Sequence, residues 1–260
     1  MREPILKVKA LTKSFQNNNQ EKKVLKGIDF EVYPGEVIGY LGGNGAGKST
    51  TVKIMCGILP DYRGEISVMG IPLEGNALEI KRRVGYIPET AVMYEQLSPW
   101  EYLSFIASLY EIESAVAESK INEYLTLFDM EGVKNHAMDS FSKGMKQKIH
   151  IISGLLNDPE IIFMDEPLNG LDANAVILMK ELIVKLVGQG KTIFYCSHLM
   201  DVVEKVATRI ILLDQGHIVA NGTFEELRKG ADVKTLEELF SKMTRHEKIG
   251  AEPVSAAIAE

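Results

Sequence analysis

The most informative part of this chain is a run of eight residues, Gly42-Gly43-Asn44-Gly45-Ala46-Gly47-Lys48-Ser49. It fits the pattern G-x-x-x-x-G-K-[ST], in which the backbone N–H groups of a glycine-rich loop converge on phosphate oxygens. Glycines lack a Cβ and accept positive φ angles, so the backbone can approach an anion closely. The sequence therefore predicts a phosphate-binding loop between a strand at 37–41 and a helix at 49–56.

The last two residues of this run indicate which phosphates the loop would bind. Lys48 would place a positive charge between the β- and γ-phosphates, and Ser49 would direct its hydroxyl to Mg²⁺. The N-terminus of the following helix adds partial positive charge. A dinucleotide-binding loop uses similar glycines, but the Lys-Ser ending favours a nucleoside triphosphate with its metal ion.

A second signature of a phosphate site is the predicted strand that ends at Asp165. Asp165 lies 117 positions after Lys48. Four apolar residues at 161–164 are followed by two carboxylates, Asp165 and Glu166. A buried strand that ends in Asp holds the Mg²⁺ shell in phosphate-loop enzymes. Glu166 would leave the strand toward the γ-phosphate and could polarise the attacking water. Alone this pattern is weak, because many strands end in acidic residues; paired with the loop it is strong.

The composition is that of an ordinary globular protein, with 45% hydrophobic and 25% charged residues among 260. A net charge of −7 argues against nucleic-acid binding, which needs clustered Lys and Arg. No apolar stretch approaches the twenty residues of a membrane span, and the start carries no signal-peptide pattern. We expect a soluble intracellular protein. Residues interpreted as structural or solvent-facing are Cys56, Cys196, His136, His150, His217 and His246.

Periodicity predicts a strand-rich core interrupted by a helical block. Strands are predicted at 6–10, 28–32, 37–41, 66–69, 161–164 and 192–196, with a hairpin at 210–213 and 217–220. The polar segment 16–20 is predicted to be a loop. Helix starts are indicated by capping residues at Ser98, Ser142, Asp172 and Thr235, the first and last of which begin capping boxes. An apolar stripe from 117 to 128 predicts another helix. Residues 246–260 are expected to be a frayed tail.

Phe141-Ser142-Lys143-Gly144-Met145-Lys146-Gln147 resembles the signature motif of the ATP-binding-cassette (ABC) transporter ATPases. Physically it is a serine N-cap opening a helix that has a glycine in its first turn, a second anion-binding helix terminus. Residues 168–172 resemble the D-loop of this family, and His198 matches its switch histidine. Phe15 matches the aromatic residue that stacks on adenine. The resemblance covers residues 5 to about 228.

The resemblance implies an α/β fold: a P-loop NTPase (RecA-like) core with an antiparallel β subdomain and an inserted α-helical subdomain. The core would comprise residues 1–90 and 158–228, the helical subdomain 91–157, and a C-terminal helix and tail 229–260. ATP and Mg²⁺ would be bound. The implied nucleotide contacts are Phe15, Gly42, Gly43, Asn44, Gly45, Ala46, Gly47, Lys48, Ser49, Thr50, Ser142 and Gly144. The implied metal ligands are Ser49, Asp165 and Glu89, and the implied catalytic residues are Glu166, His198 and Glu89.

Three positions depart from the usual family pattern. Glu89 stands where the family usually has Gln; its carboxylate could still reach Mg²⁺ or water, but it adds negative charge near the triphosphate. Glu at position 89 resembles the pattern of the family branch that serves ABC-2-type exporters. Gly43 replaces a bulkier residue, which should loosen the loop slightly, and Lys148 stands where Arg is common. None of these changes removes a ligand that the resemblance implies.

The family resemblance also implies partners. A second cassette, in a homodimer or heterodimer, would pair head to tail and bury ATP between the phosphate loop of one chain and the signature helix of the other. An integral membrane subunit would dock on the helical subdomain, with Tyr94, Leu97, Trp100 and Tyr102 as candidate contacts. The chain would then sit at the cytoplasmic face of the cell membrane. No nucleic-acid partner is expected, and the transported substrate is not encoded here.

Two other functions are weighed against an exporter ATPase. A non-transport ABC ATPase acting on ribosomes or DNA is disfavoured by the single cassette, the 117-residue spacing and the acidic balance. An ATP-gated regulatory module with little hydrolysis is disfavoured by the presence of Glu166 and His198, although Glu89 leaves it open. The ATPase activity of the isolated chain and its association with membrane proteins would separate the three.

Overall fold

The computed structural model describes residues 2–17, 20–90 and 93–244, which form two β-sheets with helices packed around them. In chain order the strands are β1 (Leu6–Asn17), β2 (Gln20–Val32), β3 (Val37–Gly42), β4 (Arg63–Val68), β5 (Ile71–Pro72), β6 (Val84–Ile87), β7 (Ile161–Asp165), β8 (Thr192–Cys196), β9 (Arg209–Asp214) and β10 (His217–Gly222). The α-helices are α1 (Lys48–Met55), α2 (Ala77–Arg83), α3 (Pro99–Leu109), α4 (Ser114–Leu127), α5 (Lys143–Ser153), α6 (Ala173–Gly188), α7 (Met200–Val206), α8 (Phe224–Ala231) and α9 (Leu236–Thr244).

The larger sheet has the strand order β10-β9-β3-β8-β7-β6, in which β10 pairs antiparallel with β9 and the other neighbours are parallel. Every residue of β3, β7 and β8 is buried. Strands covered on both faces are apolar throughout, which is why these segments stand out in the sequence as short hydrophobic runs. The parallel arrangement brings the carboxyl ends of five strands to one edge.

The smaller sheet is antiparallel, with the order β2-β1-β4-β5, as the predicted subdomain requires. The prediction of a loop at 16–20 is wrong for most of that segment, because Gln16 pairs with Glu21 and Asn17 with Gln20. The two strands extend well beyond their apolar parts. Polar residues remain in the ladder there because the backbone of the facing strand satisfies their hydrogen bonds, which periodicity alone does not reveal.

The two sheets pack face to face around an aromatic cluster. Phe30 of the smaller sheet lies 6.1 Å from Tyr40 and 5.9 Å from Phe194 of the larger sheet, measured between ring centroids. Tyr40 and Phe194 are themselves 4.9 Å apart. The Tyr40 hydroxyl lies 3.2 Å from the hydroxyl of Thr51 on α1, so this core also fixes the helix that follows the phosphate loop. A second core joins the other face of the larger sheet to the helical block.

Helix starts agree with the capping residues. Ser98 and Glu101 form the predicted capping box of α3, Ser142 caps α5, and Asp172 caps α6. The box predicted at Thr235 forms only half: the Thr235 hydroxyl accepts from the Glu238 N–H, but the Glu238 carboxylate accepts from the Lys234 N–H instead. The short helices α2, α7 and α8 were not predicted.

The domain boundaries remain predictions, and two structural facts bear on them. The boundary at 228/229 falls inside α8, and α2 precedes the segment assigned to the helical subdomain. The tail at 246–260 lies outside the described residues, as does His246. Within the part of the chain that the structure describes, none of the helices is both long and apolar enough to cross a bilayer.

Candidate nucleotide-binding site

The carboxyl edge of the larger sheet carries a cleft of about 720 Å³. The phosphate loop follows β3, Glu89 follows β6, Glu166 follows β7 and His198 follows β8, so four neighbouring strands each deliver a residue to it. Ligands of open α/β sheets bind at this edge. The predicted site residues that line the cleft are Gly42, Gly43, Asn44, Gly45, Gly47, Lys48, Ser49, Thr50, Glu89, Glu166 and His198.

The phosphate loop needs glycine most clearly at Gly47, the N-cap of α1. Its φ angle is 114°, and a Cβ there would lie 2.6 Å from Cδ2 of Leu25. At Gly43 a Cβ would meet nothing within 4 Å, in keeping with the bulkier residue usual in the family. The Lys48 ammonium group donates to the carbonyl oxygens of Gly42, at 2.7 Å, and Gly43, at 3.3 Å. The loop thus holds its own cation beside the position that phosphates would occupy.

Ser49 and Asp165 form the part of the cleft suited to a divalent cation. The Ser49 hydroxyl donates to Oδ1 of Asp165 at 3.1 Å, across 116 residues of sequence. Burial raises the pKa of Asp165, the nearby charges of Glu166 and Glu89 raise it further, and the Ser49 hydrogen bond opposes them. A cation would relieve this cost. Magnesium takes one or two carboxylates together with substrate phosphates, so this sparse donor set fits it. Among the described residues no cluster of three His, Cys, Asp or Glu suits a metal.

Glu166 is held in an uncommon backbone conformation. Its φ angle is 49°, in the left-handed region, and its N–H donates to the carbonyl of Cys196 at 2.9 Å. Its Oε2 atom lies 2.9 Å from Nδ1 of His198. The Glu166 side chain is 10% exposed whereas that of His198 is 56% exposed. The carboxylate is therefore fixed at the cleft floor, and the imidazole is the more accessible partner.

Glu89 stands at the side of the cleft that leads to the helical block. Its Oε1 accepts a hydrogen bond from Nδ2 of Asn169 at 3.2 Å, which joins it to the loop after β7. A carboxylate accepts this bond as a glutamine oxygen would, so the departure at position 89 keeps the contact. It adds a third negative charge beside Asp165 and Glu166.

Ser142 and Gly144 do not line this cleft. The Ser142 hydroxyl caps α5 by accepting from the Met145 N–H, and the serine itself is exposed. A Cβ on Gly144 would lie 2.6 Å from the carbonyl oxygen of Gly170, so the signature helix packs directly on the loop after β7. The buried Gln147 amide also ties the helix to that loop by donating to the Pro167 carbonyl at 3.1 Å. This helix terminus presents its donors away from the cleft of its own chain.

The other predicted nucleotide contacts occupy different positions. Ala46 and the predicted metal ligand Asp165 are buried and do not line the cleft, and Phe15 is 38% exposed. Phe15 does not line the cleft, but Lys22, its partner on β2, does. The ammonium of Lys13 lies 5.1 Å from the centroid of the Phe15 ring, over one of its faces. The assignment of Phe15 to adenine remains a prediction.

Four residues that line the cleft were not predicted from the sequence: Lys22, Val24, Met200 and Phe240. Lys22 and Val24 are two residues apart on β2, so their side chains lie on the same face of the strand. This spacing predicts a shared surface only if the strand is known to begin at residue 20. Phe240 lies on α9, in the C-terminal segment predicted to contain a helix. Nothing in the sequence indicates that this helix reaches the phosphate site.

Comparisons with known proteins agree with this geometry. A profile of the family described as ABC transporter matches residues 25–169. An uncharacterized ABC transporter ATP-binding protein of Nostoc sp. is 42% identical over 211 residues, 80% of this chain and 62% of that protein. The chain thus spans less than two thirds of that relative. The ABC transporter ATP-binding protein NatA of Bacillus subtilis is 31% identical over 237 residues, 90% of this chain and 96% of that protein. A solved structure titled as the ATP binding subunit of an ABC transporter has a TM-score of 0.84 and 33% identity, covering 92% of this chain and 99% of its own.

Proposed function

This chain belongs to the ABC transporter family, and we propose that it is an ATP-binding and ATP-hydrolysing subunit that drives a separate membrane subunit, an exporter of the ABC-2 type. The observation that carries the proposal is the convergence of Lys48, Glu166 and His198 on one cleft next to the Ser49–Asp165 pair. A regulatory module that only binds ATP would have no need of a carboxylate at the cleft floor.

The proposed reaction is attack of water on the γ-phosphate, with ADP as the leaving group. Lys48 balances the negative charge of the phosphates. Glu166 accepts a proton from the attacking water while the water oxygen bonds to phosphorus. His198 is exposed enough to turn toward the γ-phosphate and donate a hydrogen bond. Ser49 and Asp165, with Glu89 nearby, would hold Mg²⁺, which neutralises phosphate charge when bound. Phe15 would stack on the base.

We propose a second cassette as the partner that completes the site. Ser142 and Gly144 lie at an exposed helix N-terminus, whose backbone N–H groups and partial positive charge attract an anion. Since they do not line their own chain's cleft, the phosphate they serve would belong to another molecule. Two chains paired head to tail, or this chain paired with a different cassette, would enclose ATP between the two elements.

We also propose where the membrane subunit docks. A groove of about 490 Å³ runs between the core and the helical block, and its exposed apolar residues include Leu78 (70%), Leu109 (59%) and Ile58 (46%). Lys81 and Arg82 border it. An amphipathic cytoplasmic helix of the membrane subunit, with apolar anchors and acidic flanks, matches this lining. Such docking would keep the chain at the cytoplasmic face of the membrane.

The four docking residues predicted from the sequence differ in their solvent exposure. Tyr94 is 61% exposed, and its ring packs edge-on against the ring of Phe105. Phe105 lies one turn before Leu109 on the same side of α3. Leu97 and Trp100 are half-buried, and Tyr102 is buried in the helical block. Tyr94 therefore remains a docking candidate, whereas Tyr102 belongs to the local core. The groove is also lined by residues of the core, which lie outside the predicted docking segment 91–157.

The Glu166→Gln variant tests the proposed function. We expect its steady-state ATPase activity to fall more than a hundredfold, because the amide cannot take the proton, while its ATP affinity stays within a factor of about three. ATP-dependent dimers should accumulate, visible by size-exclusion chromatography with light scattering. Calorimetry gives the ATP affinity.

Two further variants frame this experiment. Glu181→Gln on the exposed surface of α6 is the matched control and should behave as the unmodified chain. Lys48→Ala removes the cation of the phosphate loop and should lose ATP affinity. Unchanged turnover in Glu166→Gln would contradict the assigned role of that carboxylate. Unchanged ATP affinity in Lys48→Ala would contradict the phosphate loop.

A further inference from the structure

The residue before His198 makes a contact that the proposed mechanism has not used. Ser197 is 1% exposed, and its hydroxyl donates to Oε2 of Glu166 at 3.1 Å. The same hydroxyl oxygen accepts the backbone N–H of Leu199 at 3.0 Å. A serine whose oxygen accepts from the residue two positions on has its rotamer set by the backbone. Its hydrogen is thereby directed at the carboxylate.

We infer that Ser197 is a positioning residue for hydrolysis, which holds Glu166 with one carboxylate oxygen anchored and the other free for water. Every hydrogen bond that this carboxylate accepts from a described residue is accepted by Oε2. The donors are the Ser197 hydroxyl, the His198 ring and, at 3.4 Å, the His198 backbone N–H. No described residue donates to Oε1. The carboxylate therefore presents to the cleft an oxygen that is not committed to a protein donor.

Ser197 can keep this role when His198 moves. The imidazole is exposed and would leave Glu166 to contact a phosphate, which removes one of the donors to Oε2. The hydroxyl of Ser197 cannot follow, because it is enclosed and tied to Leu199. Its position relative to Glu166 is fixed a second time by the backbone bond from the Glu166 N–H to the Cys196 carbonyl, one residue before it. The strand end of β8 thus supplies both a backbone and a side-chain anchor.

The charged and titratable groups around Glu166 do not replace this contact. His198 is its nearest ring partner, Asp165 precedes it, and Lys48 and Glu89 line the same cleft. Tyr195, on β8 two residues before Ser197, is close enough to feel the Glu166 charge. Of these only His198 lies within hydrogen-bond distance of the carboxylate. Loss of the Ser197 hydroxyl would leave the orientation of Glu166 to a residue needed elsewhere.

The test measures turnover and ATP affinity separately in the full chain, with ATP and Mg²⁺. Ser197→Ala should lower kcat by about 10- to 100-fold, the range for a hydrogen bond to a charged group together with loss of orientation, and leave the ATP dissociation constant unchanged. Ser197→Thr keeps a hydroxyl on the same carbon and should recover most of the activity. Should the threonine methyl be too large for this buried site, Ser197→Cys keeps the volume with a weaker donor and should lie between.

Thr208→Val is the matched control. The Thr208 hydroxyl also accepts a backbone N–H and donates to a carbonyl, both of Val37, but at the opposite edge of the sheet. It should lose stability without losing kcat. A Ser197→Ala kcat within twofold of the unmodified chain, or a fall matched by Thr208→Val, would overturn the inference.

The inference rests on the proposed role of Glu166, and a double variant keeps the two apart. In the Glu166→Gln background, Ser197→Ala should lower the residual single-turnover rate no further, since it acts through that carboxylate. If Glu166→Gln retains full turnover, the proposed function fails. If Glu166→Gln is inactive but Ser197→Ala lowers the residual rate as much as it lowers that of the unmodified chain, the positioning role alone fails.

Discussion

Single residues set the charge balance of the cleft. Asp165, Glu166 and Glu89 bring three carboxylates to the place where a triphosphate would lie, and Lys48 and His198 face them. Free ATP would add further negative charge to this group. The arrangement therefore favours the nucleotide together with a divalent cation at Ser49 and Asp165, since the cation would offset repulsion that remains beside Lys48 and Lys22.

His150 on α5 gives a prediction at the same scale. It is 5% exposed, and burial lowers its pKa to about 4, from 6.5. Between these values the unfolded chain holds a proton that the folded chain does not. Stability from this residue is therefore complete above pH 6.5 and declines by roughly 3 kcal/mol as the pH falls to 4. In His150→Leu the free energy of unfolding, measured with urea, should fall less over this range.

The control for this measurement is the exposed His217. His217→Gln should keep the pH dependence of the unmodified chain, because it replaces a histidine that is exposed rather than buried. Carboxylates also titrate over this range, so the comparison is between the slopes of the variants. Equal slopes for His150→Leu and the unmodified chain would show that His150 is not buried in its neutral form.

Two elements approach each other closely where the signature helix α5 touches the loop after β7. Gly144→Ala would place a Cβ 2.6 Å from the Gly170 carbonyl oxygen, so α5 or the loop must shift. We expect turnover and ATP-dependent dimerisation to fall more than tenfold, because displacement of groups that act in the transition state is costly. ATP affinity of the single chain should persist, since Gly144 does not line the cleft. Calorimetry, ATPase assays and light scattering measure the three properties.

Gly132 provides the matched substitution in the helical block. A Cβ there would meet nothing within 4 Å, so Gly132→Ala should leave dimerisation and turnover intact. If Gly144→Ala retains both, the close contact between α5 and the loop has no part in assembly. Equal losses in the two variants would instead indicate a general sensitivity of the helical block.

Elements that carry a local signal were predictable from the sequence. The buried strands β3, β7 and β8 are unbroken apolar runs, and Ser98, Ser142 and Asp172 mark helix starts because their side chains satisfy free N–H groups. The short helices α2 and α7 lack such caps: neither has a side-chain hydrogen bond at its N-cap. Helix α2 contacts β6 and α7 contacts β3, and a local helix pattern does not contain these tertiary contacts.

The same distinction holds within the cleft. The phosphate loop, Asp165 and Glu166 were predictable because contiguous residues perform the chemistry. Phe240 and Lys22 were not, because they reach the cleft from α9 and from a strand end formed of polar residues. Ser197 was overlooked beside His198, since a serine after a strand has no distinguishing pattern. Its role follows from distances to Glu166 and Leu199 that only the folded chain supplies.

At the scale of the whole molecule, two rigid elements join the cleft to the groove. Helix α1 begins at Lys48 in the cleft, and Cys56, just after its end, lines the groove. Strand β6 places Tyr86 in the groove and leads to Glu89 in the cleft. Eight residues of α-helix span about 12 Å, so the cleft and the groove lie a short distance apart along these elements.

The groove and the cleft share no lining residue, so we expect the docking function to be separable from catalysis. Leu78→Ser with Leu109→Ser should reduce binding to the membrane subunit by more than tenfold, because apolar area of two anchors is lost from the contact. The ATPase activity of the isolated chain should be unchanged. The measurement is cosedimentation of each variant with native membranes that contain the membrane subunit.

The control replaces two other exposed aliphatic residues, Ile177 and Val184 on α6, with serine. These lie away from the groove and should leave cosedimentation intact. Normal membrane binding by the groove variant would place the docking surface elsewhere, and equal loss in both variants would indicate non-specific adsorption.

The left-handed backbone of Glu166 has an evolutionary consequence. Holding a residue with a Cβ in that region costs about 1–2 kcal/mol, whereas glycine and asparagine adopt it more readily. A lineage released from the need to consume its nucleotide would therefore relieve this backbone cost by exchanging the acid for glycine or asparagine. Persistence of glutamate at 166 in descendants of this chain would then be a record of selection for turnover itself.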